Sequence, residues 1–116
     1  MAVTPQKELI SYDDFAKMDI RIGTILSAEK MPKADKLLIL KVDTGIDQRT
    51  IVSGIAQSFN PEEIIGKRVT VLANLAPRKL RGVESQGMIL MVENTEGKYR
   101  FIAPDGGEIA NGAEVK

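Results

Sequence analysis

The stretch Val69–Val92 reads V-T-V-L-A-N-L-A-P-R-K-L-R-G-V-E-S-Q-G-M-I-L-M-V, with an apolar run at each end and a polar loop between them. The runs Val69–Ala73 and Met88–Val92 are rich in β-branched residues, Leu and Met, which predicts two buried strands. The loop Pro77–Gly82 contains three cations in four residues. Such a loop is either a solvated connection or a contact for phosphate groups, and its own sequence leaves both interpretations open.

Three more strands are predicted upstream of this stretch. Ile20–Ala28 alternates apolar and polar residues at a period of two, which is typical of a half-buried strand. Gly23 inside it predicts a bend or a bulge. Leu37–Asp43 and Arg49–Ser53 are the next two apolar runs, and turn residues separate them.

Two short helices are predicted from capping signals. Ser11 can cap a helix over residues 11–17, and we expect Phe15 to pin that helix to the core. A second helix is predicted from Asn60 to Gly66, because Asn60 can cap it, Pro61 suits the first helical position and Gly66 can end it.

The predicted order is three strands, a short helix and two strands, which is the plan of the OB-fold. We therefore predict an all-β protein with two short helices, built as a five-stranded Greek-key OB barrel. A sixth strand at Tyr99–Ala103 and the turn-rich Pro104–Val115 would form a β-rich C-terminal extension. Residues 1–10 are predicted to be a leader or linker, and residues 11–116 the domain. Another small barrel or a sandwich stays open as an alternative.

Composition argues against an enzyme. The 116 residues include no Cys and no His, so the commonest general base, the thiolate nucleophile and the commonest transition-metal ligands are missing. We expect no catalytic residue, no metal site and no cofactor. The sequence shows no signal peptide and no apolar run long enough to span a bilayer, so a cytoplasmic location is expected.

The net charge is zero, yet its distribution is uneven. Residues 21–81 carry 11 basic and 6 acidic side chains, whereas both ends of the chain are acidic. Because electrostatic binding depends on the local field, the basic middle of the chain is compatible with a nucleic-acid partner. The few aromatic residues lie outside the main barrel strands, so we expect contacts to phosphates and to the shape of a folded RNA rather than base stacking along a single strand.

The candidate binding residues lie mainly in two loops that border the binding face of an OB-fold. One is the turn after the first strand, and the other joins the fourth and fifth strands; an arginine at the start of the third strand and two uncharged polar residues complete the set. The candidates are Lys33, Lys36, Arg49, Asn74, Arg78, Lys79, Arg81 and Ser85. Asn74 could equally cap a strand end, and Ser85 could be a turn residue.

Several motifs together resemble the tRNA-binding domain family. They are D-F-x-x-M-D-I-R-I-G at 14–23, A-D-K-L at 34–37, I-V-S-G-I at 51–55, N-L with P-R-K-L-R-G at 74–82, and S-Q-G-M at 85–88. The resemblance covers residues 12–115 in the expected order. The family includes a free-standing tRNA-binding protein and the C-terminal domain of many bacterial methionyl-tRNA synthetases, and the chain looks most similar to the latter.

The resemblance implies a non-catalytic OB-fold that forms a homodimer and grips tRNA by shape, for a methionyl-tRNA synthetase whose catalytic part lies in the same polypeptide. It also implies tRNA contacts from the turn that contains Lys33, from the Arg78–Arg81 loop, and from Ser85 and Met88. Many members have Asn in place of Lys33. Met88 opens a predicted core strand, so burial would explain it without RNA. The apolar residues after Val92 would be the dimer surface, or would fold over their own barrel.

Two other functions stay open. A relative of this family acts as an export-related chaperone, so the same barrel could bind unfolded protein. A free-standing tRNA-binding protein is the other alternative to a synthetase domain.

Overall fold

The computed structural model describes residues 3–116; the first two residues of the predicted leader lie outside this part. Its elements are α1 Tyr12–Ala16, β1 Ile20–Lys30, β2 Leu38–Asp43, β3 Gln48–Ser53, α2 Pro61–Ile64, β4 Arg68–Leu72, β5 Arg78–Leu80, β6 Val83–Ser85, β7 Met88–Glu93 and β8 Tyr99–Phe101. The chain is therefore mostly β with two short helices, as the sequence predicts. Residues 3–10 form neither helix nor strand and are exposed.

Six strands form one antiparallel sheet in the order β3-β2-β1-β4-β7-β8. The long strand β1 is shared between two partners: residues 20–24 pair with β4, and residues 24–30 pair with β2. The register shifts between Ile25 and Ser27, so the bulge lies after Gly23. At Gly23 itself a Cβ would approach the Asp43 carbonyl oxygen to 2.7 Å, which explains the glycine at this crossing.

The core lies inside the curved sheet and is made of aliphatic side chains from β1 to β4, the segment after β3, α2 and β7. Its fully or almost fully buried members are Ile25, Leu38, Leu40, Val42, Ile51, Ile55, Ile64, Val69, Val71 and Ile89. In β1 the predicted period of two holds for Ile20 and Ile22, but the bulge shifts it, because Ile25 is then buried and Leu26 is exposed. Phe15 is only half-buried and α1 contributes no buried residue, so the prediction that Phe15 pins α1 to the core is wrong.

The predicted second helix is shorter than expected, because Pro61–Ile64 forms a single turn and Ile65 is already extended. The turn keeps the expected start: the Glu63 carboxylate accepts the amide hydrogen of Asn60 at 2.7 Å. Ile64 is buried against the barrel, so the short helix still covers part of the core.

The C-terminal extension folds over its own barrel. The Gly112 amide donates to the Ile22 carbonyl at 2.7 Å, and the Val115 amide donates to the Ile20 carbonyl at 2.8 Å. These bonds occupy the edge of β1 that β2 leaves free. Phe101 of β8 stacks on Phe59 with a ring separation of 4.7 Å. Much of the predicted dimer surface is thus used within the chain.

Candidate nucleic-acid interface

A groove of about 370 Å³ crosses one face of the barrel. It runs between the loop after β1, which contributes Leu37, and the segment between β4 and β7, which contributes Arg78 and Leu80; the end of β3 forms its floor. The two loops that the sequence predicts as binding loops therefore border one groove. The groove is largely apolar, and its other lining residues are Val52, Ser53, Gly54, Leu75, Ala76, Ser85, Gly87, Met88, Ile89, Met91 and Tyr99.

The first loop, residues 31–37, is compact. Met31 is buried beneath it, and the Met31 amide donates to the Leu37 carbonyl at 3.1 Å. The Lys36 carbonyl accepts the Ala56 amide hydrogen at 3.1 Å, which ties the loop to the segment after β3. Lys33 and Lys36 are both exposed on this fixed backbone.

The second basic segment is a β-hairpin, where the sequence predicted an irregular loop. β5 pairs with β6 from Arg78 opposite Ser85 to Leu80 opposite Val83, so the turn has only two residues, Arg81 and Gly82. Both have positive φ, 53° and 85°. Positive φ at both central residues defines the type I′ turn that joins tight hairpins. The hairpin exposes Arg78, Lys79 and Arg81 along its length.

Two cations have a backbone conformation that their side chains disfavour. Within residues 3–116, Lys33 at φ 62° and Arg81 at φ 53° are the only non-glycine residues with positive φ. Asn and Gly are the usual residues in this region, and Asn-Gly is the preferred pair for a type I′ turn. Residues kept against their backbone preference are enriched at functional sites. One of the two lies in each basic loop, although the loop residues that line the groove itself are Leu37, Arg78 and Leu80.

Arg49 lies at the start of β3, and its side chain is only 13% exposed. Its Nε and Nη2 donate to the two carboxylate oxygens of Asp47 at 2.9 and 3.0 Å, and its Nη1 donates to the carbonyls of Ala73 at 2.7 Å and Gln86 at 3.3 Å. The Arg49 hydrogen bond, together with one from Thr44, holds the pKa of the Asp47 carboxyl below its usual value against a smaller upward effect of burial. Each nitrogen of this guanidinium thus has a partner within the chain.

Ser85 and Asn74 also use their polar atoms inside the fold. Ser85 is 3% exposed; its Oγ accepts the Val52 amide hydrogen at 3.0 Å and donates to the Gly87 carbonyl at 3.3 Å. The Asn74 Oδ1 accepts the Asp19 amide hydrogen at 2.9 Å, and its Nδ2 donates to the Lys17 carbonyl at 2.6 Å. The geometry therefore gives both residues roles in joining segments of the barrel.

Met88 is more exposed than the sequence predicts. It opens β7, but its side chain is 45% exposed and lines the groove, so burial does not account for it. Together with Leu75 and Leu80 it forms an apolar surface next to Arg78. This arrangement can hold an apolar or flat group beside a phosphate.

Sequence reasoning missed Asp47 and Gln86. Both accept hydrogen bonds from the Arg49 guanidinium group, and the Gln86 amide also donates to the Thr50 carbonyl at 2.8 Å. No signal in the sequence marks this arrangement, because Arg49 is 24 and 37 residues away from the two carbonyls it contacts. The hairpin could have been found from Gly82 between Leu80 and Val83, which is a tight-turn pattern.

The comparisons with known proteins fit this geometry. Residues 20–114 match the family described as "Putative tRNA binding domain". The chain belongs to the tRNA-binding domain family. A methionine–tRNA ligase of Flavobacterium johnsoniae is 78% identical over 111 residues, which are 96% of this chain and 16% of the ligase. The chain thus spans about one sixth of the curated relatives' length.

Two solved structures superpose well on the chain. A MetRS-related protein from Pyrococcus horikoshii is 42% identical with a TM-score of 0.86; the match covers 95% of this chain and 100% of that one. The chaperone CsaA from Bacillus anthracis is 26% identical with a TM-score of 0.82, over 94% of this chain and all of the other. These similarities confirm the OB-like fold. The chain is a tRNA-binding domain homologous to a part of methionyl-tRNA synthetases.

Within residues 3–116 no helix is long and apolar enough to cross a membrane. In the same residues, no group of three or more acidic side chains is placed to hold a metal ion.

Proposed function

We propose that this domain holds tRNA for a methionyl-tRNA synthetase whose catalytic part is in the same polypeptide, in the cytoplasm. Its ligase relatives and the small share of their length that it spans support this proposal. A domain that holds tRNA beside a catalytic site raises the local tRNA concentration there without touching the reaction. The Pyrococcus horikoshii relative, which the match covers completely, keeps a free-standing tRNA-binding protein as an alternative.

The observation that carries the proposal is the pair of exposed cations with positive φ, Lys33 and Arg81, one in each of the two loops that contribute residues to the groove. Arg78 is the candidate cation that lines the groove itself. We infer that this pair, with Lys36, Arg78 and Lys79, contacts the tRNA phosphates from both sides of the groove. Neutralising phosphates releases counterions, so binding should weaken as salt is added. Contacts to phosphates along a fixed groove select a folded RNA by its shape and carry little sequence information.

Met88 and its apolar neighbours have a separate part in this proposal. We infer that an unpaired base of the tRNA rests on Met88 while its phosphate is held by Arg78. Ser85, Asn74 and Arg49 remain in the predicted site as residues that shape it, since their polar atoms already have partners in the protein.

The test is a titration of the purified domain into labelled tRNA at two salt concentrations, with single-stranded DNA and an unfolded protein as competitors. We expect binding that weakens steeply with salt and resists both competitors. No binding at low salt would reject the proposal. Efficient competition by single-stranded DNA would show that folded shape is not recognised.

Protein binding is the second candidate function, and the groove is the observation that favours it. Leu75, Leu80, Met88 and Met91 make its lining mostly apolar, and a structural neighbour is a chaperone. An extended apolar peptide could lie there. Displacement of tRNA by the unfolded protein would support this candidate, whereas tRNA binding that the unfolded protein does not displace would reject it.

We also propose that two copies form a homodimer through the surface around α1. Tyr12 is 79% exposed, and Ile10 and Met18 are exposed beside it. Val115, also exposed, lies next to this surface because its amide donates to the Ile20 carbonyl. Exposed apolar side chains grouped in this way are typical of an interaction surface, and a second copy would bury the same group on each side.

The dimer is tested by sedimentation of the domain and of the double variant Tyr12→Ser/Met18→Ser. We expect the wild-type domain to sediment as a dimer and the variant as a monomer. Ile65→Ser, which removes an exposed apolar side chain after α2, is the matched control and should leave the dimer intact. A monomeric wild type, or a dimer in the double variant, would contradict the assignment.

A further inference from the structure

The segment from Ala73 to Gln86 leaves the sheet after β4, forms the basic hairpin and returns at β7. Its two ends are held differently. The returning end is bonded along β3: the Gln86 amide donates to Thr50, the Gln86 side-chain oxygen accepts the Thr50 amide hydrogen at 3.3 Å, and Ser85 accepts from Val52. The departing end meets β3 through Arg49.

We propose that Arg49 is a positioning residue, which fixes the basic hairpin beside the groove and does not itself contact phosphate. One nitrogen, Nη1, donates to the carbonyl at the start of the segment, Ala73, and to the carbonyl at its end, Gln86. A single side chain thus joins both ends of the hairpin segment to β3. The tRNA part of this inference rests on the proposed function; the structural part does not.

The close approach of the hairpin base to β4, next to Arg49, requires a glycine. A Cβ at Gly87 would lie 2.8 Å from the Leu72 carbonyl oxygen and 3.8 Å from Arg49 Nη1, and Gly87 has φ 112°. The chain therefore passes β4 and the guanidinium at a distance that leaves little freedom for the hairpin base.

The ion pair with Asp47 allows Arg49 to position the hairpin and leaves its guanidinium group unsuited to binding a phosphate. The carboxylate binds the guanidinium in a bidentate manner, which fixes its plane and neutralises its charge. Thr44, which is fully buried, donates its hydroxyl to the same carboxylate at 2.8 Å and anchors Asp47 in turn. A lysine could not replace Arg49, because its ammonium group lacks the planar set of donors that reaches a carboxylate and two carbonyls together.

The experiment compares the domain with Arg49→Gln, Arg49→Lys and Asp47→Asn by hydrogen exchange and by tRNA titration over a range of salt. In both Arg49 variants we expect the amides of residues 78–87 to exchange about tenfold faster, which corresponds to about 1.4 kcal/mol of easier local opening. The tRNA Kd should rise by about the same factor, while the slope of log Kd against log salt stays unchanged. Asp47→Asn, at a half-exposed position, should show the same change to a smaller extent.

Arg21→Gln is the matched control for hydrogen exchange. Arg21 repeats the arrangement, since its Nε donates to Asp19 at 2.7 Å and its Nη1 donates to the Gly112 carbonyl at 3.2 Å, but it holds the C-terminal segment. This variant should speed exchange near residue 112 and leave residues 78–87 unchanged.

Three results would overturn the inference. A salt slope lowered by about one unit in Arg49→Gln, with affinity kept in Arg49→Lys, would make Arg49 a phosphate contact. Exchange that rises equally over the whole barrel would make it a general stabiliser of the fold. Unchanged exchange in residues 78–87 would remove the positioning role, and this result is informative even if the domain binds no tRNA.

Discussion

At the scale of single residues, the backbone explains a difference between this chain and its family. The family resemblance implies that many members have Asn where this chain has Lys33, and it leaves open whether the contact of that Asn is kept. The structure places this residue at φ 62°, a region that Asn tolerates better than Lys. Asn in relatives therefore suits the turn, and Lys33 adds a charge at a cost in conformational energy.

Lys33→Asn should accordingly stabilise the domain while weakening tRNA binding. The left-handed conformation costs an ordinary residue about 1 kcal/mol, of which we expect the Asn variant to recover about half in urea unfolding. The salt slope of tRNA binding should fall by about one unit. Lys36→Asn in the same loop lacks positive φ and is the control: it should lower the slope without the gain in stability. Equal stabilities for the two variants would contradict the backbone explanation.

The Asp47 carboxyl gives a prediction for pH. Its pKa in the folded domain is below the ordinary value, mainly because of the hydrogen bond from Arg49. The ion pair therefore contributes its full stability above the unfolded-state pKa of about 3.9, and loses it as the pH falls through the lower folded-state pKa.

We expect an NMR titration of the Asp47 side chain to show this depressed pKa, and Arg49→Gln to raise it towards the ordinary value. In the same variant, the loss of stability on acidification should be smaller below about pH 4. Arg21→Gln leaves the Asp47–Arg49 pair intact and should not change the Asp47 pKa. An unchanged Asp47 pKa in Arg49→Gln would show that the pair is not the cause.

At the scale of elements, the apolar core strands were predictable from their composition, whereas the hairpin was marked in the sequence by Gly82 in its turn and not by hydrophobic residues. Apolar residues of β1 to β4 and β7 build the core, and β2 follows the period of two, whereas β3 and β4 each bury three consecutive residues. β5 and β6 have three residues each, and half of these six residues are charged and exposed, so hydrophobic periodicity gives no signal there. The turn itself is Arg-Gly instead of the common Asn-Gly, so the sequence resembles a basic loop although it forms a tight hairpin.

Arg81→Asn tests this account of the hairpin. Asn-Gly is the preferred type I′ turn, so the amides of β5 and β6 should exchange more slowly in this variant. Its tRNA affinity should nevertheless fall, because a cation is lost. Arg78→Asn, in β5 and without positive φ, is the comparison: affinity should fall with no slowing of exchange. Slower exchange together with unchanged affinity would mean that Arg81 does not contact tRNA.

At the scale of the whole molecule, the sequence indicated which residues are candidates for binding tRNA. It did not indicate which of their polar atoms are already hydrogen-bonded within the protein. It placed Lys33, Lys36, Arg78, Lys79 and Arg81 in two loops, and the structure brings those loops to one groove. It could not show that the polar groups of Arg49, Asn74 and Ser85 are occupied. Their partners are far away in sequence, and only the closed barrel brings them within hydrogen-bonding distance.

The central claim, that two basic loops on one groove grip tRNA by its phosphates, is tested most directly by the salt dependence of charge variants. Arg78→Gln and Arg81→Gln should each weaken binding of different tRNA species about equally and lower the salt slope by about one unit. Lys67→Gln, which removes a cation that lies in neither basic loop but beside Ile64 and Phe101, should leave the slope unchanged. A loss confined to one tRNA species, or an unchanged slope in both arginine variants, would contradict the claim.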